Sequence, residues 1–235
     1  MGSLGFFGVL WVPFERTDGT DEPNEPEEPI EPTERDLMNP MNLMNLMNPK
    51  DRHAAGMAAL ERLGGPDAAA PILAAADVAP DLVMFAIDFA FGEVLSRPGL
   101  DLRTRELCTV AALSGLGHAE PQLKWHIEAA LHVGARQAEV DHVRRIARGY
   151  VRPTGGGVDG QGPLDPLTRE LATIALLTAI GTQRAALKSH LRAARAAGAT
   201  REQIVHVLEQ MAIYAGFPAA LNGVSAAREI FAECK

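Results

Sequence analysis

Shifting the sequence by 64 positions lays Asp101–Tyr150 over Asp165–Tyr214 without a gap, and nineteen of the fifty positions are identical. A unit written twice folds as two copies of one structure, each burying the same face, packed as a pseudo-twofold pair. The matched pairs include Thr104/Thr168, Arg105/Arg169, Glu106/Glu170, Lys124/Lys188, His126/His190 and His142/His206. Each unit opens a helix with Asp-x-x-Thr-Arg-Glu, turns at Gly117 or Gly181, and runs a second helix through the histidine to Gly134 or Gly198. A glycine just past the last helical turn is the usual left-handed stop. A third helix is expected over about Gln137–Arg148 and Arg201–Ala215. The second copy opens it with Thr200 followed three residues later by Gln203, a capping box. No segment shows strand-like alternation bounded by turns. The expected class is all-α, with two repeated helical-hairpin units.

Outside the repeat the chain is uneven. Asp18–Glu34 is a Pro/Glu-rich run that repels itself and has little apolar surface to bury, and Met38–Pro49 is a biased Met-Asn repeat. Residues 1–50 therefore read as a disordered tail, 51–152 as the first unit, 153–163 as a Gly-rich linker and 164–235 as the second unit. Ala54–Leu63 reads as a helix closed by Gly64-Gly65-Pro66. Asp81–Leu95 reads as another, with Pro80 at its start and Ser96-Arg97-Pro98-Gly99 as its break.

A net charge of −8 provides no concentrated basic face, which argues against nucleic acid and against an anionic membrane surface. The apolar start, Leu4–Phe14, is too short to span a bilayer and lacks the flanks of a secretion signal. Two cysteines, Cys108 and Cys234, fit a reducing cytoplasm and form no CxxC pair.

The residues able to carry chemistry come in matched pairs. If the first two helices of a unit fold back at His118, Glu106 lies twelve residues before the turn and His126 eight after it. At about 1.5 Å per residue the axial mismatch is about 6 Å, which the two side chains can largely span. A carboxylate beside an imidazole fixes the ring's tautomer and makes it a proton shuttle. Glu170 and His190 repeat the geometry. The alternative is structural: the glutamate favours the first helical turn by charge, and the histidine is a satisfied core residue. His142 and His206 sit on the third helix among charged residues and are expected at a surface or interface. No third ligand can be placed beside them, so no metal site is expected.

Phe91–Arg105 resembles the entry motif of the carboxymuconolactone decarboxylase family. Glu120–Leu131 followed by Gly134 is similar to its second helix, and Ala212–Asn222 to its closing helix-break-helix. The resemblance spans about Asp51 to Phe231. It implies an all-α fold of the alkylhydroperoxidase D type, assembly into trimers or hexamers, and a small-molecule substrate. The implied chemistry is removal of carbon dioxide from a carboxylated γ-lactone without metal or organic cofactor. Peroxidase relatives use a CxxC pair. Here its place holds His118–Gln122 and Thr182–Ala186, and Cys108 reads as a core residue. The resemblance makes His126 and His190 candidate proton donors, with Glu106 and Glu93 to orient them, Glu170 repeating Glu106 in the second unit, Arg97 a carboxylate clamp, and Tyr214 a lining acid or hydrogen-bond donor. Close relatives carry a histidine where this chain has Gln210. The closing segment of the first unit, Arg144–Thr154, is eroded, so one working site is expected. The leading reading is a cofactor-free lyase or isomerase. The alternatives are a biosynthetic tailoring enzyme acting on another carbonyl compound, and a helical scaffold that has lost its site.

Overall fold

Both Asp-x-x-Thr signatures start helices in the same way. Asp101 and Asp165 are extended, and each side chain accepts a hydrogen bond from the backbone N–H three residues on, of Thr104 and Thr168, at 2.9 Å. In a computed structural model describing residues 49–152 and 162–233, every element among the described residues is helical. Residues 1–48 of the tail and most of the linker fall outside the described residues, and the last two residues of the tail as read from sequence already belong to the first helix. The order is α1 (Pro49–Gly64), the short α2 (Ala70–Leu73), α3 (Pro80–Met84) and a π-helical segment (Phe85–Leu95). The first repeat then supplies α4 (Leu102–Leu116), α5 (Glu120–His132) and α6 (Gln137–Val151). The second supplies α7 (Pro166–Ile180), α8 (Arg184–Ala196) and α9 (Arg201–Ala232).

Helices α4 and α7 form the centre. They are buried on nearly every side, with Leu107, Val110, Ala111, Leu171, Ile174 and Ala175 among the inaccessible residues of one continuous core. The repeat expectation for the turns holds: Gly117 and Gly181 stop the central helices in the left-handed region, at φ 70° and 69°. The Thr200–Gln203 capping box forms with both of its bonds.

The sequence expectation of one regular helix over Asp81–Leu95 is only partly met, because its last eleven residues widen into π turns. Here α1 crosses the π-helical segment with backbone against backbone. A Cβ on Gly56 would lie 2.2 Å from the Ile87 carbonyl oxygen, and one on Gly92 would lie 2.2 Å from that of Arg52. Only glycine fits at either position.

The third helix of the second repeat is much longer than expected, running on to Ala232 through a kink at Gly216 (φ 81°) and Pro218. By length and composition α9 is apolar enough to cross a membrane. Its apolar residues Ile204, Val207, Leu208, Met211, Ala226 and Ile230 lie in the core.

Glu139 ties the first repeat together. Its carboxylate accepts from the Arg136 backbone N–H (2.8 Å), from the Arg136 guanidinium (2.8 Å) and from that of Arg103 on α4 (2.6 Å). Burial pushes its pKa up, but these charged donors outweigh burial and hold it at about 2. A carboxyl depressed in the folded state stabilises fully above its ordinary value of 4.5 and loses that contribution as pH falls towards about 2. Glu139→Gln should therefore cost about 1–3 kcal/mol at neutral pH. Denaturant titration of both proteins through this acid window should show the difference shrinking as the pH drops.

Candidate active site

Two buried carboxylates on the central helices meet two imidazoles from the helices that follow them. Glu106 on α4 is inaccessible, and its Oε2 lies 2.7 Å from Nδ1 of His126 on α5. Glu170 on α7 repeats this with His190 on α8, at 2.6 Å. The fold-back estimated from residue spacing thus brings both pairs into hydrogen-bond contact. In each ring the second nitrogen faces a tyrosine from the other repeat. Tyr150, at the end of α6, places its hydroxyl 2.6 Å from Nε2 of His190. Tyr214, on α9, places its hydroxyl 3.5 Å from Nε2 of His126. No spacing or motif in the sequence singles out Tyr150. It lies within the segment read as eroded, and its only signal was that it ends the aligned unit opposite Tyr214.

The two Glu–His–Tyr sets differ in charge and access. Beside Glu170, the Arg169 guanidinium lies 3.2 Å from Oε1. Burial pushes this carboxyl up, yet the bond with His190 and then Arg169 outweigh burial and hold it below its ordinary value. It therefore stays an acceptor, so Nδ1 of His190 carries a proton and Nε2 accepts from Tyr150 when the ring is neutral. Burial, followed by the nearby Glu170 charge, raises the pKa of Tyr150, keeping the phenol protonated at neutral pH. The His190 side chain is 26% exposed, against 7% for His126. Around His126, the Trp125 and Tyr214 rings stand edge-on at 4.8 and 5.5 Å between centroids. Burial, and then the Glu106 charge, raises the pKa of Tyr214. Oε1 of Glu106 is buried without a hydrogen-bond partner.

Other sequence expectations are corrected. Arg97 is not directed at either imidazole: it pairs with Glu209 at 2.7 Å and lies 3.8 Å from Glu93. Glu93 orients no histidine. Its contacts are with Arg97 and with Arg52 at 3.0 Å. His142 and His206 are buried, at 2% and 9% exposure; of the two expected positions, surface or interface, they occupy an interface, the one between the repeats. Each packs against the glycine-containing turn that opens the other repeat, His206 on Gly99 and His142 on Gly162. Burial, then Arg105, lowers the pKa of His206. Cys108 is a core thiol as expected, its pKa pushed up to about 12 by burial. Among the described residues no three His, Cys, Asp or Glu side chains gather as a metal site.

Gln210 is fully buried and holds Arg105. Its Oε1 accepts from the Arg105 guanidinium at 3.3 Å, while its Nε2 donates to the Arg105 carbonyl at 2.9 Å and to the Thr109 hydroxyl at 2.8 Å. The other end of the guanidinium donates to the Arg97 carbonyl at 2.9 Å.

Residues 80–153 and 150–229 each match the model of the carboxymuconolactone decarboxylase family. Over 64 residues the chain is 42% identical to the 4-carboxymuconolactone decarboxylase of Acinetobacter baylyi, covering 27% of this chain and 47% of that protein. Over 55 residues it is 40% identical to an uncharacterized 15.0 kDa protein of Paracoccus denitrificans, covering 23% and 41%. The chain thus spans less than half the length of these curated relatives.

Replacing Gln210 would leave a buried guanidinium short of an acceptor. Gln210→Leu should destabilise the fold by about 3 kcal/mol, measured by equilibrium unfolding, and a neutral result would mean that Arg105 finds another partner.

Proposed function

The chain belongs to the carboxymuconolactone decarboxylase family, and on that premise we propose that it is a cofactor-free lyase or isomerase acting on a small carboxylated or lactone-like molecule. The observation that carries this reading is the pairing of a buried carboxylate with an imidazole in both repeats, at 2.7 and 2.6 Å. Loss of carbon dioxide breaks one carbon–carbon bond and leaves its electron pair on the substrate, conjugated with the lactone carbonyl as an enolate. One proton must then reach carbon, so that the carboxylate and a proton become carbon dioxide and a C–H bond. An isomerase needs the same equipment, taking a proton from one carbon and returning it to another. An imidazole whose Nδ1–H is held by a carboxylate suits both tasks, because the carboxylate stabilises the imidazolium that forms as the ring takes up a proton.

The cytoplasm is the proposed compartment, and a homo-oligomer the proposed working form. Leu82, Phe85, Phe217 and Leu221 are 62–66% exposed, and Phe89 stacks on Phe217 at 6.0 Å between ring centroids. An apolar face of this kind is suited to burial against a second copy of the chain.

His190→Ala and Glu170→Gln should lower turnover of 4-carboxymuconolactone or another carboxylated γ-lactone about 10²–10⁴-fold, followed as carbon dioxide release, and His190→Ala should also lower the melting temperature, because it leaves Glu170 with Arg169 as its remaining charged partner. A drop in melting temperature with turnover intact would make the pair structural. Sedimentation velocity should show the parent as an oligomer and Phe85→Glu shifted towards monomer. A parent that sediments as a monomer would end the assembly proposal.

A further inference from the structure

Both nitrogens of His190 are occupied: Nδ1 faces Glu170 at 2.6 Å and Nε2 faces Tyr150 at 2.6 Å. The ring therefore has no nitrogen left to meet a substrate, and the next atom outward in the chain of hydrogen bonds is the phenolic oxygen. Resting on the acid–base reading above, we propose that Tyr150, supplied by the first repeat, is the catalytic residue that exchanges a proton with substrate carbon at the second repeat's site. His190 and Glu170 act behind it as its proton reservoir.

Three observations place the activity here. Tyr150 is held against the helix that carries His190, because Gln183, at the start of α8, donates from Nε2 to the Tyr150 carbonyl at 3.1 Å. The set is partly open, with the His190 side chain 26% exposed, whereas His126 is closed in at 7%. The bond is also short at 2.6 Å, while Tyr214 stands 3.5 Å from His126. The step balances without any further reactant. As a proton leaves a carbon next to the lactone carbonyl for Tyr150 Oη, the phenolic proton moves to His190 Nε2. This leaves an enolate and an imidazolium beside Glu170. The reverse movement delivers a proton to carbon; where the enolate arises by loss of carbon dioxide, that proton is one that His190 has first taken up from water. The ligand class is a carbon acid activated by an ester carbonyl, such as an unsaturated γ-lactone or its carboxylated form.

The test uses the full chain and α-angelica lactone in deuterium oxide, following loss of the C3–H signal by proton NMR. The parent should exchange these protons faster than buffer. Tyr150→Phe should slow exchange at least about 100-fold, through the rate constant and not through KM. Site-specific 3,5-difluorotyrosine at position 150, a more acidic phenol, should restore exchange and move the alkaline limb of the pH–rate profile to lower pH, which a merely structural tyrosine would not do. Exchange by Tyr150→Phe within about threefold of the parent, or a pH profile unmoved by fluorination, overturns the assignment while leaving the acid–base reading standing. A parent that exchanges no faster than buffer overturns both.

Discussion

A carboxylate inside an apolar helix pair is the constraint around which this structure is arranged. Glu106 and Glu170 sit on the two helices that are buried on nearly every side, where an unpaired charge would cost several kcal/mol. Each must find a donor from a neighbouring helix, and in both repeats the donor is the imidazole twenty residues on. The helix carrying that histidine is thereby fixed in register on the central helix. The same bond that removes the electrostatic penalty fixes the ring's tautomer, so stability and proton chemistry rest on one contact.

The tyrosines extend this constraint across the repeat boundary. Each imidazole is held by a carboxylate of its own repeat and faced by a hydroxyl from the other. The buried histidines of the third helices follow the same rule, with His206 packed on the turn that opens the first repeat and His142 on the turn that opens the second. Neither repeat contains a complete site, so the two copies form one interlocked unit and not a pair of independent modules.

Much of this was legible before any coordinates. The 64-residue register, the Asp and Thr200 caps and the glycine stops are local signals, and the Glu–His contact follows from helix rise and a single turn position. What was missed depends on contacts between the repeats. Tyr150 sits in a segment that diverges from its counterpart at most positions, and only the packing of α6 shows that its hydroxyl reaches α8. His142 and His206 have charged neighbours in sequence, but the face they occupy is buried by a turn from the other repeat. Arg97 and Glu93 had the right chemistry for a substrate clamp, yet Glu209 and Arg52 lie close enough to engage them, and sequence spacing carries no information about either partner. The π turns arise where Gly56 and Gly92 let two backbones touch, a demand set by the crossing and not by propensity.

One side-chain difference accounts for the unequal charge of the two sites. Arg105 and Arg169 occupy matched positions, each next to its glutamate in sequence. In the second repeat Arg169 bonds the neighbouring Glu170. In the first, Gln210 on α9 offers an amide oxygen and an amide nitrogen, and Arg105 turns to it and to the Arg97 carbonyl. The residue matched to Gln210 is the buried Ile146, which has no polar side-chain atom to offer. Arg105 is thereby drawn into the core, and one oxygen of Glu106 is left without a donor. A site whose carboxylate is shared with an arginine holds less negative charge in reserve for an imidazolium than one whose carboxylate faces the imidazole alone. Duplication supplied two identical acid–base sets, and the glutamine at position 210 made them electrostatically distinct, one enclosed and unshared, the other open and shared with Arg169.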